Sequence, residues 1–161
     1  MSAAAHVLQS RGNSCVAACV CILRRLRGEQ ADEPALLARW ADRGTSAGYD
    51  LDTAAEELGI APSIWTVNDA ALDRIAAHLR YDGWVLAWVG PRVYGPWISS
   101  RARASAHGQL GLRPHAVVLC GVDDTGFHLL DPFFMPDGQP IAAPFDDLAS
   151  FLTGHFLLVG H

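Results

Sequence analysis

A change of rhythm divides this chain. Up to about residue 80 its apolar residues recur at helical spacing, and from Trp84 onward they run in short extended blocks. Helices first and strands afterwards describe an α+β fold, with N-terminal helices packed on a mainly antiparallel sheet. The first helix is expected from Ser14 to Gly28. Asn13 or Ser14 caps it, Arg24, Arg25 and Arg27 crowd its last turn, and Gly28 ends it. Its first half is apolar on every side, which places it inside the core. Further helices are read at Pro34–Asp42, Leu51–Leu58, Ala70–Leu79 and Phe145–Leu152. Strands are read at Trp84–Val89, Ala116–Val122, Phe127–Leu130 and Phe156–Val159, the middle two joined as a hairpin by Asp123-Asp124-Thr125-Gly126. Residues 92–114 show no clear period. A connection of that length in a compact domain is usually functional or mobile.

With 161 residues the chain is long enough to bury a core and short enough to form one domain, expected over 1–161. Half of it is hydrophobic and 18% is charged, which excludes a disordered or solvating segment. A dispersed net charge of −5 argues against nucleic acid or an anionic membrane as partner. The first residues lack a cationic region followed by an apolar stretch, so no signal peptide is expected. The apolar run Cys15–Leu23 is too short to span a bilayer, and a cytoplasmic location follows as the default. Cys15, Cys19 and Cys21 fall on one helix where bridging geometry is poor, and with Cys120 they contain no Cys-x-x-Cys pair. Reduced thiols and no metal site are the expectation.

Three features point to chemistry. Cys15 opens the buried helix, where the positive end of the dipole lowers a thiol's pKa and first-turn amides are free to bind an oxyanion. Gln9, six residues upstream, offers a side-chain amide as a second donor; losing one such donor typically costs about 3–4 kcal/mol of transition-state stabilisation. His115 begins an apolar strand, and Asp131 ends the next one before Pro132. Their separation is even, so an odd-length hairpin loop would put both side chains on one face. A type I turn with a glycine bulge at Asp123–Gly126 would supply that loop. Nucleophile, base and orienting carboxylate would then share a frame of one helix and a sheet.

Each residue also has a plainer reading. Cys15 can be core packing like Cys19, Cys21 and Cys120, His115 a strand-end histidine satisfied by backbone, Asp131 a turn cap, and Gln9 a solvated terminal residue. His128 falls on the opposite strand face and His78 late in a helix, whereas His107 lies in the long connection, where function is common.

The segments Gln9-x5-Cys15, His115-Ala116-Val117-Val118-Leu119-Cys120-Gly121-Val122-Asp123 and Leu130-Asp131-Pro132 resemble the papain-like cysteine peptidases of the bacteriocin-processing type, the double-glycine leader peptidases and their stand-alone relatives. The resemblance extends over nearly the whole chain. It implies a papain-like fold with Cys15 as nucleophile, His115 as general base and acid, Asp131 as orienting residue and Gln9 as oxyanion donor. The implied activity is hydrolysis of a peptide or amide bond through a thioester, on a peptide or peptide-like substrate, without metal or organic cofactor. Three departures stand out. Val16 follows the cysteine where many members have glycine or proline; residues 92–114, with Trp97, Arg101 and Arg103, are longer than usual and are candidates to gate or line the groove; and no transmembrane or ATP-binding region follows. Two rivals use the same residues. An acyltransferase or peptide-maturation enzyme would pass the thioester to an amine or thiol, and a non-catalytic peptide-binding module would leave Cys15 unreactive.

Overall fold

In the computed structural model, residues 2–44 and 50–161 are described. A six-stranded, wholly antiparallel sheet forms the centre: β1 (Ser63–Ile64), β2 (Gly83–Val89), β3 (His115–Asp123), β4 (Gly126–Leu130), β5 (Ile141–Ala143) and β6 (Leu152–Gly160), in spatial order β1-β6-β2-β3-β4-β5. Among the described residues six α-helices accompany it: α1 (Cys15–Leu26), α2 (Glu33–Asp42), α3 (Leu51–Leu58), α4 (Asp69–Tyr81), α5 (Pro91–Ser99) and α6 (Phe145–Phe151).

The helices cover both faces of the sheet. Leu86, Ala116, Val118, Leu130 and Leu157 pack with α1, α2 and α3 in one core. Val85, Ala87, Val117, Leu119 and Leu129 pack with α4, α5 and α6 in a second. Alternate residues of β2 and β3 therefore enter different cores, which is why these strands read as unbroken apolar runs. Residues 15–23 of α1 are all buried, and the helix turns polar only at Arg24 and Arg25. Glu57 of α3 ties this layer together by accepting bonds from Arg24, Arg39, Arg43 and the Trp40 indole, drawn from α1, α2 and the residue that ends α2.

Several elements exceed the sequence reading. The connection 92–114 begins with α5, hidden because Gly95-Pro96 reads as a helix breaker; Pro91 pre-sets its first turn. β1 and β5 are too short to show a period, and β6 starts directly at the end of α6. The hairpin bulge is also displaced. Asp123 pairs with Gly126 across a two-residue loop, and the register shifts within the strand, where Cys120 is skipped between Leu119↔Leu129 and Gly121↔His128. The turn stays tight because Gly126, at φ 143°, lies where a Cβ would meet the Ala143 carbonyl oxygen at 2.2 Å. One extra residue in the strand changes parity as well as one in the loop would. With Val118 opposite Leu130, Asp131 falls opposite Val117, on the face of His115.

Candidate active site

Cys15 opens α1, and His115 opens β3 at the same end of the molecule. Ser14, just before the helix, makes no capping bond to it. Its hydroxyl closes the preceding turn, accepting from the Arg11 amide at 3.1 Å and donating to the Arg11 carbonyl at 3.2 Å. First-turn amides of α1 are thus left without a side-chain cap.

The imidazole of His115 is 3% exposed, and its Nε2–H donates to Oδ1 of Asp131 at 2.8 Å. Nδ1 is left for the Cys15 thiol, which acts electrostatically on this ring. Burial alone would disfavour a charged imidazole. The Asp131 carboxylate and the Cys15 sulfur outweigh it, and the His115 pKa is pushed up to about 10. A proton taken from the thiol would therefore be well held.

Asp131 has no exposed surface, and every polar atom it carries is engaged. Oδ1 also accepts from the Phe133 amide at 2.8 Å, and Oδ2 accepts from the Tyr94 hydroxyl at 2.6 Å. Burial, and then the neighbouring carboxylate charge, push the Tyr94 pKa well above its ordinary value, so the phenol stays a donor. The backbone of Asp131 is clasped by Gln139, whose Oε1 accepts from the Asp131 amide at 2.7 Å and whose Nε2 donates to the Asp131 carbonyl at 3.0 Å. His6 donates to that carbonyl too, at 2.9 Å; burial lowers its pKa and keeps it neutral. Sequence reasoning missed Tyr94, Gln139 and His6. Tyr94 lay in the segment without a period, and nothing local relates Gln139 or His6 to a carboxylate far away in the chain. The polar residues in an otherwise apolar setting were the available signal.

Gln9 is buried beside this group. Its amide nitrogen donates to Arg11's carbonyl at 2.7 Å, and its Oε1 has no partner. One amide proton is thereby engaged and the other remains. The peptide of Gln9 is fixed from both sides, by its own amide to the Pro132 carbonyl and by His107 Nε2 donating to its carbonyl, each at 2.8 Å. The structure therefore brings Cys15, His115 and Asp131 into one chain of contacts. Gln9 stands in the adjoining turn, outside the cleft lining.

A cleft of about 460 Å³ opens above Cys15 and His115. Gly12, Asn13, His107, Gln109 to Pro114 and Phe133 complete its lining. The second half of the 92–114 connection thus lines the groove, while Trp97, Arg101 and Arg103 do not. Trp97 donates to Asp147 and stacks under Arg101, and Arg103 pairs with Asp137. Cys19 and Cys21 are core residues; burial raises the Cys19 pKa well above normal and pushes that of Cys21 up to about 12. His78 bonds to strand carbonyls and His128 to Asp123 at the hairpin tip. Among the described residues no disulfide forms, no cluster of His, Cys, Asp or Glu is placed to hold a metal, and no helix is long and apolar enough to cross a membrane.

Helices packed on an antiparallel sheet make an α+β fold of the papain-like kind. Among solved structures the chain is similar to the peptidase domain of Streptococcus ComA, a bifunctional ABC transporter involved in a quorum-sensing pathway. The TM-score is 0.57 at 15% identity, over 96% of this chain and 97% of that one. No family model and no curated protein matches the chain.

Proposed function

We propose that this chain is a cysteine peptidase or amidase working through Cys15, His115 and Asp131. The observation that carries the reading is the His115 imidazole, tied by Nε2 to a fully buried carboxylate and turned with its other nitrogen to a thiol on a cleft floor. A core cysteine needs no such partner, and a structural histidine needs no cleft.

In the reaction, Cys15 first gives its proton to Nδ1 of His115, whose raised pKa holds it, and the resulting thiolate attacks the substrate carbonyl. The oxyanion is held by the Cys15 backbone N–H, and by the Gln9 amide once it turns from the Arg11 carbonyl into the cleft. Collapse forms a thioester and breaks the C–N bond, and His115 returns its proton to the leaving amine. Water, deprotonated by His115, then cleaves the thioester to a carboxylic acid and restores the thiol. Asp131 holds the ring and stabilises the imidazolium without taking the proton. The chain acts here as one domain with a peptide-like substrate.

The test is a diverse panel of peptides and acyl donors, with and without added amine, read by product mass. Wild type should release acid and amine products, and Cys15→Ala should fall on the order of 10⁴-fold. Undiminished turnover by Cys15→Ala would remove the assignment, and products captured by the amine would move it to acyl transfer.

A further inference from the structure

Acidic residues outnumber basic ones in this chain, 17 to 12, yet no Asp or Glu lines the cleft among the described residues. Arg113 does line it. Its side chain is exposed and takes part in no hydrogen bond, ion pair or ring contact in the structure. Arg24, Arg39, Arg43 and Arg103 are each held by a carboxylate and Arg74 and Arg101 are each laid on a tryptophan ring, while Arg80 and Arg92, also exposed without a partner, lie outside the cleft lining. Arg11, next in sequence to Gly12 of the lining, is likewise exposed with no side-chain partner. The one acid of the catalytic group, Asp131, is sealed behind His115 and Tyr94 and presents nothing to the cleft. The mouth is therefore locally cationic in a molecule of net charge −5.

We propose that the cleft selects peptide substrates bearing a carboxylate close to the bond that meets Cys15, with Arg113 as the residue that recognises it. This rests on the peptidase reading for its chemistry. Arg113 stands two residues before His115, in a bend that lines the same cleft as Cys15, so its guanidinium meets the substrate within a few residues of the reacting carbonyl. Guanidinium and carboxylate match as a bidentate pair. Net charge alone would favour cationic peptides, so the preference for an acid is specific to this surface.

The experiment uses fluorescent peptides carrying one Glu, Gln or Arg at each position of a Gly/Ala/Ser background. They are bound to full-length Cys15→Ala and offered to wild type for cleavage. At low salt, at least one Glu peptide should bind about three- to tenfold tighter than its Gln counterpart, and the advantage should shrink toward unity at 0.5 M salt. Adding Arg113→Gln should abolish that ratio. Arg113→Lys should retain part of it, and Arg80→Gln, the same charge change on α4 outside the cleft, all of it. Absence of a Glu preference in any register, including absence of binding, overturns the proposal, as does a preference that survives Arg113→Gln. The two readings separate cleanly. Glu-selective binding without cleavage by wild type would sink the hydrolase reading and leave this one standing; cleavage indifferent to Glu would do the reverse.

Discussion

At the scale of single residues, the histidine is only as good as the carboxylate behind it, and Asp131 is held by more groups than a turn cap needs. Tyr94 reaches it from α5 on a 2.6 Å bond and is itself wholly buried. Tyr94→Phe keeps the ring, its edge contact with Phe151 and its packing near His115, and removes only the donor. Oδ2 of Asp131 would then be buried without that partner. The expected cost is about 1–3 kcal/mol in urea unfolding. A phenol that no longer draws charge from the carboxylate leaves more of it facing His115, so the imidazolium should be held more strongly. The pH dependence of Cys15 alkylation by iodoacetamide reads this directly: its profile should move in Tyr94→Phe, whereas a purely structural tyrosine would alter stability and leave the profile in place. A profile that overlays wild type would remove Tyr94 from the positioning role.

At the scale of elements, legibility in the sequence followed the length and regularity of each piece. α1 was readable because its apolar body, terminal arginines and Gly28 agree with one another, although Ser14 turns its hydroxyl to Arg11 instead of capping the helix. α3 was equally clear, ending at Gly59 in the left-handed region at φ 68°. α5 was hidden by two prolines and a glycine, although Pro91 at its first turn is a start signal. β5 was lost because three residues carry no period. The hairpin shows how parity was legible and its mechanism was not: an even spacing of His115 and Asp131 demands one odd residue between them, and any bulge position satisfies that arithmetic. Tertiary context placed it at Cys120. Of the site, the residues named by chemistry could be read in the chain, while Tyr94, Gln139 and His6 are related to Asp131 only through folding. The Glu57 hub is of the same kind. Its side chain is 6% exposed and binds arginines from the α1 and α2 layer. Glu57→Gln should cost about 1–3 kcal/mol in denaturant unfolding by leaving Arg24, itself only 23% exposed, without a counter-charge. A change within about 0.5 kcal/mol would mean that the three helices are joined by apolar packing alone.

For the whole molecule, two buried ionic centres on either side of the sheet set opposite ends of the pH range. Burial opposes the charge on Glu57, but the Trp40 indole and the Arg24 and Arg39 guanidiniums outweigh it and hold its pKa below the usual carboxylate value. A depressed pKa contributes stability above the unfolded value of about 4.3 that is lost as pH falls through the folded one. His115 behaves inversely. Its pKa of about 10 in the fold, against about 6.5 unfolded, means that its contribution is complete below 6.5 and disappears as pH rises through 10. Resistance to urea should therefore be greatest between about pH 5 and 6.5 and should decline from there to about pH 8.5, before cysteine thiols and tyrosines begin to titrate in the unfolded chain. The unfolding midpoint measured from pH 3 to 10 gives the curve. His115→Gln should flatten its alkaline limb while Glu57→Gln flattens only the acid limb. If the alkaline decline persisted unchanged in His115→Gln, His115 would have to be uncharged in the folded protein, and its ionic pairing with Asp131 would fail with it.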